Sequence, residues 1–385
     1  MVKTPFSFSI LFFAAFHLGV VLPPPNDADA EMSLSQNAGP IIVRNGKTPV
    51  VKNGKPVTVT LKNDLILGQD QDDPNSSFSV LNYFAVDEQG KIFVMDQKEF
   101  RVKIFAPSGT FLKSFGRRGQ GPGEFQTPGV IRFASDGNLI IQGFLDRRLQ
   151  YFSAEGKWIK DQSYKTLDLG EFRIDLRGFF YATNTTRDEK GRKFELTKLD
   201  PGFHPIKSFA SIEWPRNMNT MAAFSVPWLY FDVNRRDELA WADSRNYVIH
   251  VIDRDGKAVR EIYRQSPPLE VSESVKEKFR RESDELDKKS SIKFPKSTSV
   301  FPKYFPAMQA LFADDRNRIY VRTFETSKAG EILYDVFDEN GIFFSRFSLP
   351  EKEEAAVIKK DRLYAIIRDR MSGEYILKRY LMTWK

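Results

Sequence analysis

Along most of the chain, apolar residues fall at alternate positions in runs of five or six, each run opened by a turn residue, the period of half-buried β-strands. One short unit returns six times: Gly90-Lys-Ile-Phe-Val94, Gly137-Asn-Leu-Ile-Ile141, Gly178-Phe-Phe-Tyr-Ala182, Asp237-Glu-Leu-Ala-Trp241, Asn317-Arg-Ile-Tyr-Val321 and Asp361-Arg-Leu-Tyr-Ala365. Gly, Asn and Asp suit the positive-φ positions of tight hairpins. A second unit runs in phase with the first, at Phe105-Ala-Pro-Ser-Gly109, Phe152-Ser-Ala-Glu-Gly156, Ile252-Asp-Arg-Asp-Gly256 and Phe337-Asp-Glu-Asn-Gly341, with a degenerate copy at Leu199-Asp-Pro-Gly202. Each repeat therefore reads as an antiparallel meander of four strands. Successive turn residues lie 47, 41, 59, 80 and 44 positions apart, and a blade takes roughly 40–50 residues. The long interval calls for an insertion, visible between Ser266 and Phe305.

One meander cannot bury both of its faces, so the repeats must stack around an axis. The prediction is an all-β fold, a six-bladed β-propeller of four-stranded antiparallel blades. The sixth repeat is one strand short, and Val57–Leu67 alternates suitably to complete it, closing the ring and removing two exposed edges. The other possibility is a hairpin of that stretch with Ile41–Val51. The propeller is thus expected over 57–385, with 31–56 as an N-terminal extension or hairpin and a helical insertion at about 266–305. Within the insertion, Glu270–Ser291 reads as a helix capped by Ser272 or Ser274, with Val271, Val275, Phe279 and Leu286 as a sparse apolar stripe.

Residues 1–30 read as a signal peptide: Lys3, an apolar run from Ile10 to Leu22, prolines 23–25, and small residues at Ala28-Asp-Ala30. The apolar run is shorter than the ~20 residues a span needs, and no later segment is apolar enough to cross a bilayer. The chain has no cysteine, which excludes disulfides, thiolate metal sites and thiol nucleophiles. Its formal net charge of +7 is compatible with acidic partners.

Finer detail in the first two repeats resembles a known group. Asp87-Glu-Gln-Gly-Lys-Ile-Phe-Val-Met-Asp96, Arg101-Val-Lys-Ile-Phe105, Gly116-Arg-Arg-Gly-Gln-Gly-Pro-Gly-Glu-Phe125 with Pro128, and then Asp136-Gly-Asn-Leu-Ile-Ile and Arg148-Leu-Gln-Tyr-Phe152 resemble the NHL repeat. The resemblance, specific over about residues 79–160, implies a bacterial exported six-bladed propeller of the NHL or TolB-like kind. Gly116, Gly119, Gly121 and Gly123 do not read as a phosphate loop, because Pro128 and a strand follow where a helix N-terminus would be needed. An inter-blade turn is expected there.

In such a ring the loops between second and third strands share one face with the crossovers between blades. That face should carry every elaborated connection: Arg117–Pro128, Thr185–Lys193, Ser211–Trp228 and Ser266–Phe305. It also collects cations, and the candidate binding residues are Arg117, Arg118, Arg147, Arg148 and Lys98, which could receive carboxylates, phosphates or sulfates. Arg101 and Arg148 share a repeat position that suits a structural pair with a loop carboxylate such as Asp96.

The innermost strands read as mainly apolar, with Asn82, Arg132, Gln309 and Lys359 among few polar positions, so no carboxylate cage for a metal is expected in the channel. After the signal peptide only His204 and His250 remain, on separate blades, and no catalytic or metal set emerges. The sequence therefore points to a non-catalytic exported monomer in the periplasm or outside the cell. It would bind a protein partner or an anionic glycan of the cell envelope, without cofactor or nucleic acid. The alternative is a hydrolase or lyase acting on a small ester or sugar in the central channel.

Overall fold

In the computed structural model, which describes residues 39–52, 55–70, 72–164, 166–189, 191–215, 226–289, 301–369 and 374–385, the six repeated turn residues all take positive φ. They are Gly90 (86°), Gly137 (81°), Gly178 (85°), Asp237 (57°), Asn317 (62°) and Asp361 (52°). In four of the six turns the residue three positions earlier holds the bend. Asp87 Oδ1 accepts the backbone N–H groups of Gln89 and Lys91, and Asp175, Asn234 and Asp314 repeat this two and four residues ahead of themselves. These Asx turns give the backbone a local partner where a strand must reverse. In the degenerate copy of the second unit, the left-handed residue is Phe203 (67°) rather than Gly202. The predicted signal peptide lies outside the described residues.

Among the described residues three strands precede the first blade: β1 (Ile41–Asn45), β2 (Val51–Lys52) and β3 (Lys55–Leu67). Blade one is β4 (Leu81–Val86), β5 (Ile92–Asp96), β6 (Arg101–Phe105) and β7 (Phe111–Phe115). Blade two is β8 (Pro128–Phe133), β9 (Leu139–Gly143), β10 (Arg148–Phe152) and β11 (Trp158–Ser163). Blade three is β12 (Leu169–Ile174), β13 (Phe180–Arg187), β14 (Gly191–Leu199) and β15 (Pro205–Pro215). Blade four is β16 (Leu229–Val233), β17 (Leu239–Asp243), β18 (Val248–Ile252) and β19 (Ala258–Arg264). After the helix α1 (Glu273–Lys289), blade five is β20 (Ala310–Ala313), β21 (Ile319–Thr326), β22 (Ile332–Phe337) and β23 (Phe343–Leu349). Blade six takes β24 (Glu353–Lys359), β25 (Arg362–Asp369) and β26 (Glu374–Trp384) from the end of the chain, and β3 as its outermost strand.

The closure expected from the sequence is therefore present: β3 runs antiparallel to β26, from Leu67 opposite Leu377 to Val59 opposite Trp384. A fork-to-fork ion pair pins it, Arg379 Nε and Nη2 donating to Asp64 Oδ1 and Oδ2 at 2.9 and 3.0 Å. Further along, β3 pairs in parallel with β23 over two residues, so blades five and six form one continuous sheet. The pattern along the chain did not foretell β1, which joins the outside of blade four parallel to β19. Its buried Asn45 then reaches blade five, donating to the Gly341 carbonyl at 3.0 Å and accepting from Phe343 N–H at 2.9 Å.

Among the described residues the core is divided into six apolar clusters, one between each neighbouring pair of blades. The cluster that shuts the ring packs Tyr364, Ile366 and Leu377 of blade six with Leu67, Phe78, Phe84 and Val94. The Gly-rich crossover from blade one to blade two is an inter-blade turn, as the sequence suggested. Phe125 plugs it, and a Cβ on Gly116 (φ 89°) would lie 2.2 Å from that ring, so only glycine fits. Helix α1 begins just after Ser272, whose Oγ accepts Val275 N–H at 3.4 Å, and it is moored to the crossover between blades five and six by Lys278 on Glu351 at 2.6 Å.

Candidate functional site

The predicted cationic residues do lie on the face of crossovers and inner loops, but they do not act alike. Arg148 is a structural post: it donates to Asp146 and Asp161, both at 2.6 Å, and to the carbonyls of Gln120 and Glu124, tying the Gly-rich crossover to blade two. Arg117 is exposed yet paired with Glu124 of its own crossover at 2.7 Å. Arg118 lies over the Phe100 ring, 5.4 Å from its centroid. Lys98 is exposed in the neighbouring loop. The expected pairing of Arg101 with Asp96 does not form. Asp96 accepts the N–H groups of Ser79 and Val80 instead and sits 3.9 Å from Lys103, because it is fully buried and takes the nearest backbone donors.

Arg147, at φ 47°, stands apart from these. It borders a recess of about 470 Å³ between blades two and three, with Thr166, Leu167, Asp168, Asn184, Thr185, Thr186 and Arg187. Only Leu167 among these is apolar. Asp168 lies 3.9 Å from Arg147, with both side chains nearly half exposed. On the wall of the recess Arg187 faces Arg192 directly across the β13–β14 ladder, and like charges so placed repel. Burial and the charge of Arg187 together hold the Arg192 guanidinium below its ordinary pKa. Sequence reasoning flagged the Thr185–Lys193 loop but not Arg187, whose ladder partner could be known only from the register.

The channel overturns one expectation. Its innermost strands β4, β8, β12, β16, β20 and β24 are not mainly apolar toward the axis: a belt of alternating charge crosses them. Arg173 donates to Glu171 at 3.0 Å and to Asp232 at 2.8 Å. Across the ring, Glu354 receives Arg368 at 2.5 Å and Arg322 at 3.1 Å. Arg132 lies 3.7 Å from Glu171. In Leu169-Gly-Glu-Phe-Arg-Ile174, Leu169 and Phe172 pack into the core while Glu171 and Arg173 stay partly open. That alternation was the available signal for the belt. Tyr83 and Tyr230 stand close by, the Tyr83 hydroxyl pushed up to about 12 by burial and by Glu171, and that of Tyr230 raised by burial. Among the described residues no group of three or more histidines and carboxylates is spaced to hold a metal ion. His204 and His250 lie away from the channel, on Asp200 and stacked on Trp241 respectively. At the mouth on the plain-hairpin face, Glu88 of blade one meets Arg235 of the opposite blade four at 2.7 Å and Lys359 of blade six at 2.8 Å, bridging the opening.

Burial alone would raise the carboxyl of Glu171, but Arg173 and Arg132 outweigh it and hold it below the ordinary range. Arg368 and Arg322 do the same for Glu354, and Arg264 and Arg346 for Glu325. A carboxyl depressed in the folded state contributes stability that is fully present above its unfolded value, ~4.3, and is lost as pH falls through the folded value. The melting temperature should thus be level above about pH 5.5 and decline below about pH 4.5. Stabilisation on acidifying through that range, read by calorimetry, would contradict the belt.

Comparison with known proteins fits this architecture. Residues 84–226 match the model of a family described as a 6-bladed beta-propeller, DUF5128. Two solved structures are similar to nearly the whole chain. A candidate exported protein of Bacteroides fragilis has 11% identity and a TM-score of 0.51, covering 89% of this chain and 99% of its own. A DUF4221 member from Bacteroides vulgatus has 14% identity and a TM-score of 0.52, covering 85% and 98%. Virginiamycin B lyase of Staphylococcus aureus is looser, at 9% identity and a TM-score of 0.42 over 84% and 99%. At these identities the likeness concerns the fold alone. No curated protein sequence matches the chain.

Proposed function

We propose that the protein is a non-catalytic binding module, working outside the cytoplasm, that receives an anionic glycan on its loop-rich face. The observation that carries this reading is the recess beside Arg147 and Arg187. Its wall is made of guanidinium, hydroxyl and amide groups, two arginines against the one carboxylate of Asp168, with a single apolar residue. Such a wall suits a hydroxyl-rich ligand bearing carboxylate or sulfate, whereas a protein-binding hot spot favours buried aromatic anchors. The repulsion between Arg187 and Arg192 would be relieved by an anion lying between them. The N-terminal signal pattern supports export, and among the described residues no helix is long and apolar enough to cross a membrane. The NHL-like crossover at Gly116–Phe125 fits the same class of exported propellers. Against a channel enzyme, Glu171, Asp232 and Glu354 are each engaged by arginine and so are poorly placed to move protons.

The test is binding of polygalacturonate against a neutral glucan by calorimetry, with the double variant Arg147→Gln/Arg187→Gln. We expect selective binding of the acidic polymer, weakened about tenfold or more by the double variant. Equal affinity for both polymers, or an undiminished affinity in the variant, would remove the basis of the proposal.

A further inference from the structure

The belt inside the channel is not electrically even. Four arginines, Arg132, Arg173, Arg322 and Arg368, share three carboxylates, Glu171, Asp232 and Glu354. Arg173 holds two of the carboxylates at hydrogen-bond distance, and Arg322 and Arg368 divide the third. The remainder falls on Arg132. Among the described residues its nearest carboxylate oxygen is 3.7 Å away, beyond a hydrogen bond, and its side chain's one hydrogen bond goes to the carbonyl of its neighbour Ile131 at 2.9 Å. A guanidinium has five N–H donors in a fixed fork, and a shielded cation so poorly matched is costly. Burial, with Arg173 close by, lowers its hold on its proton to about 10.

Other donors around the waist are also unmatched. Among the described residues the Nε groups of Arg322 and Arg368 are buried without a hydrogen-bond partner. Tyr83 is close enough to Arg132, Glu171 and Arg368 to be shifted by their charges. The surplus is thus of donors and of positive charge, at one level of the channel.

We propose that the channel waist binds a small oxyanion, the carboxylate or phosphate group of a small molecule, held by the Arg132 guanidinium with the Tyr83 hydroxyl as a second donor. The ligand enters from the loop-rich face, because the Arg235–Glu88–Lys359 bridge spans the opposite mouth. This site is separate from the glycan recess: Arg132 lies on the innermost strand of blade two, whereas the recess is built from the end of β13, the second strand of blade three, and the loops beside it. A carboxylate or phosphate accepts two parallel N–H bonds from one guanidinium, the geometry that Arg132 has to offer.

The test is calorimetric titration of the whole chain, in a buffer free of oxyanions, with inorganic phosphate and separately with acetate. Saturable binding of at least one probe at one site per chain is expected, and which probe binds tells phosphate from carboxylate chemistry. Arg132→Met should weaken it about tenfold or more, and Tyr83→Phe about threefold. Arg147→Gln/Arg187→Gln should retain the binding, whatever it does to polygalacturonate. If Arg132→Met fails to fold, Arg132→Lys keeps the charge but loses the fork and should still bind more weakly. The proposal is overturned by three results: no saturable binding of either probe, wild-type affinity in the Arg132 and Tyr83 variants that fold, or a loss that follows the recess variant instead.

Discussion

A chain from which residues 39–67 have been removed is expected to lose its cooperative unfolding transition and to collect as aggregate, although five blades keep all four of their own strands. The removed β3 strand pairs with β26 over eight residue pairs. It also supplies Leu67 and Leu65 to the cluster between blades six and one, and Val59 and Leu61 to the cluster between blades five and six. Burying an apolar side chain of this size stabilises by roughly 1.5–3 kcal/mol. Losing even one full burial and three partial ones approaches the whole net stability of a domain, about 5–15 kcal/mol. The deletion also leaves β26 as a long bare edge, a template for pairing with other chains. Calorimetry and size-exclusion chromatography check the result. A synthetic peptide of residues 55–67, supplied in trans, should restore a transition by adding the missing strand. A truncated chain that melts like the intact one would show that closure by β3 is not what holds the ring.

Asp335→Ala should be the most damaging single substitution, costing about 3–5 kcal/mol. Asp335 is fully buried between blades four and five, where its Oδ1 accepts Arg346 Nε at 2.6 Å and its Oδ2 accepts the Tyr247 hydroxyl at 2.6 Å. The Arg264 guanidinium, itself almost wholly enclosed, lies 3.2 Å away. Glu325 binds the other ends of both arginines, at 2.6 and 3.0 Å. Taking out the carboxylate strands two guanidinium groups with one counter-charge in a shielded place, a larger penalty than the pair was ever worth as a net attraction. Chemical denaturation of the variant beside Tyr247→Phe separates the two effects, since the tyrosine change removes a single hydrogen bond, about 1 kcal/mol. Similar losses for the two variants would mean that Asp335 is not the anchor of the charges around it.

The ring itself was legible because its turns are written in residue types that tolerate positive φ, and because those types recur in phase. Gly90, Asp237 and Asn317 are readable one by one, and the strand missing from the sixth repeat could be sought among the unassigned alternating stretches. What could not be read was whatever depends on which blade meets which. Asn45 and β1 clasp blades four and five through contacts hundreds of positions apart in the chain, and nothing local in Ile41–Asn45 marks that destination. The charged belt was half visible, since Glu171 and Arg173 sit at alternate positions of one strand, and Tyr230 and Asp232 at alternate positions of another. A strand that shows its side chains both to a core and to the channel axis nevertheless looks like any half-buried strand. The same limit applied to the loop cations. Arg148 was readable as structural from its repeat position, but the Glu124 that quiets Arg117 and the Arg192 opposite Arg187 belong to the register, not to composition.

The clasp between β3 and β26 also governs timing. Asp64 and Arg379 are separated by 315 residues, so β3 emerges early and has no final partner until almost the whole chain has followed. Forming contacts between such distant segments is slow, because the loop entropy must be lost before the contact repays it. Until then β3 is an unpaired alternating strand, and the blades assembled behind it form an open arc whose two end faces are apolar. The molecule is consequently most exposed to proteolysis and to wrong pairing in the interval before β26 arrives. A chain delivered through a membrane as an unfolded thread would spend that interval on the far side, where the ring snaps shut only when the final strand is released.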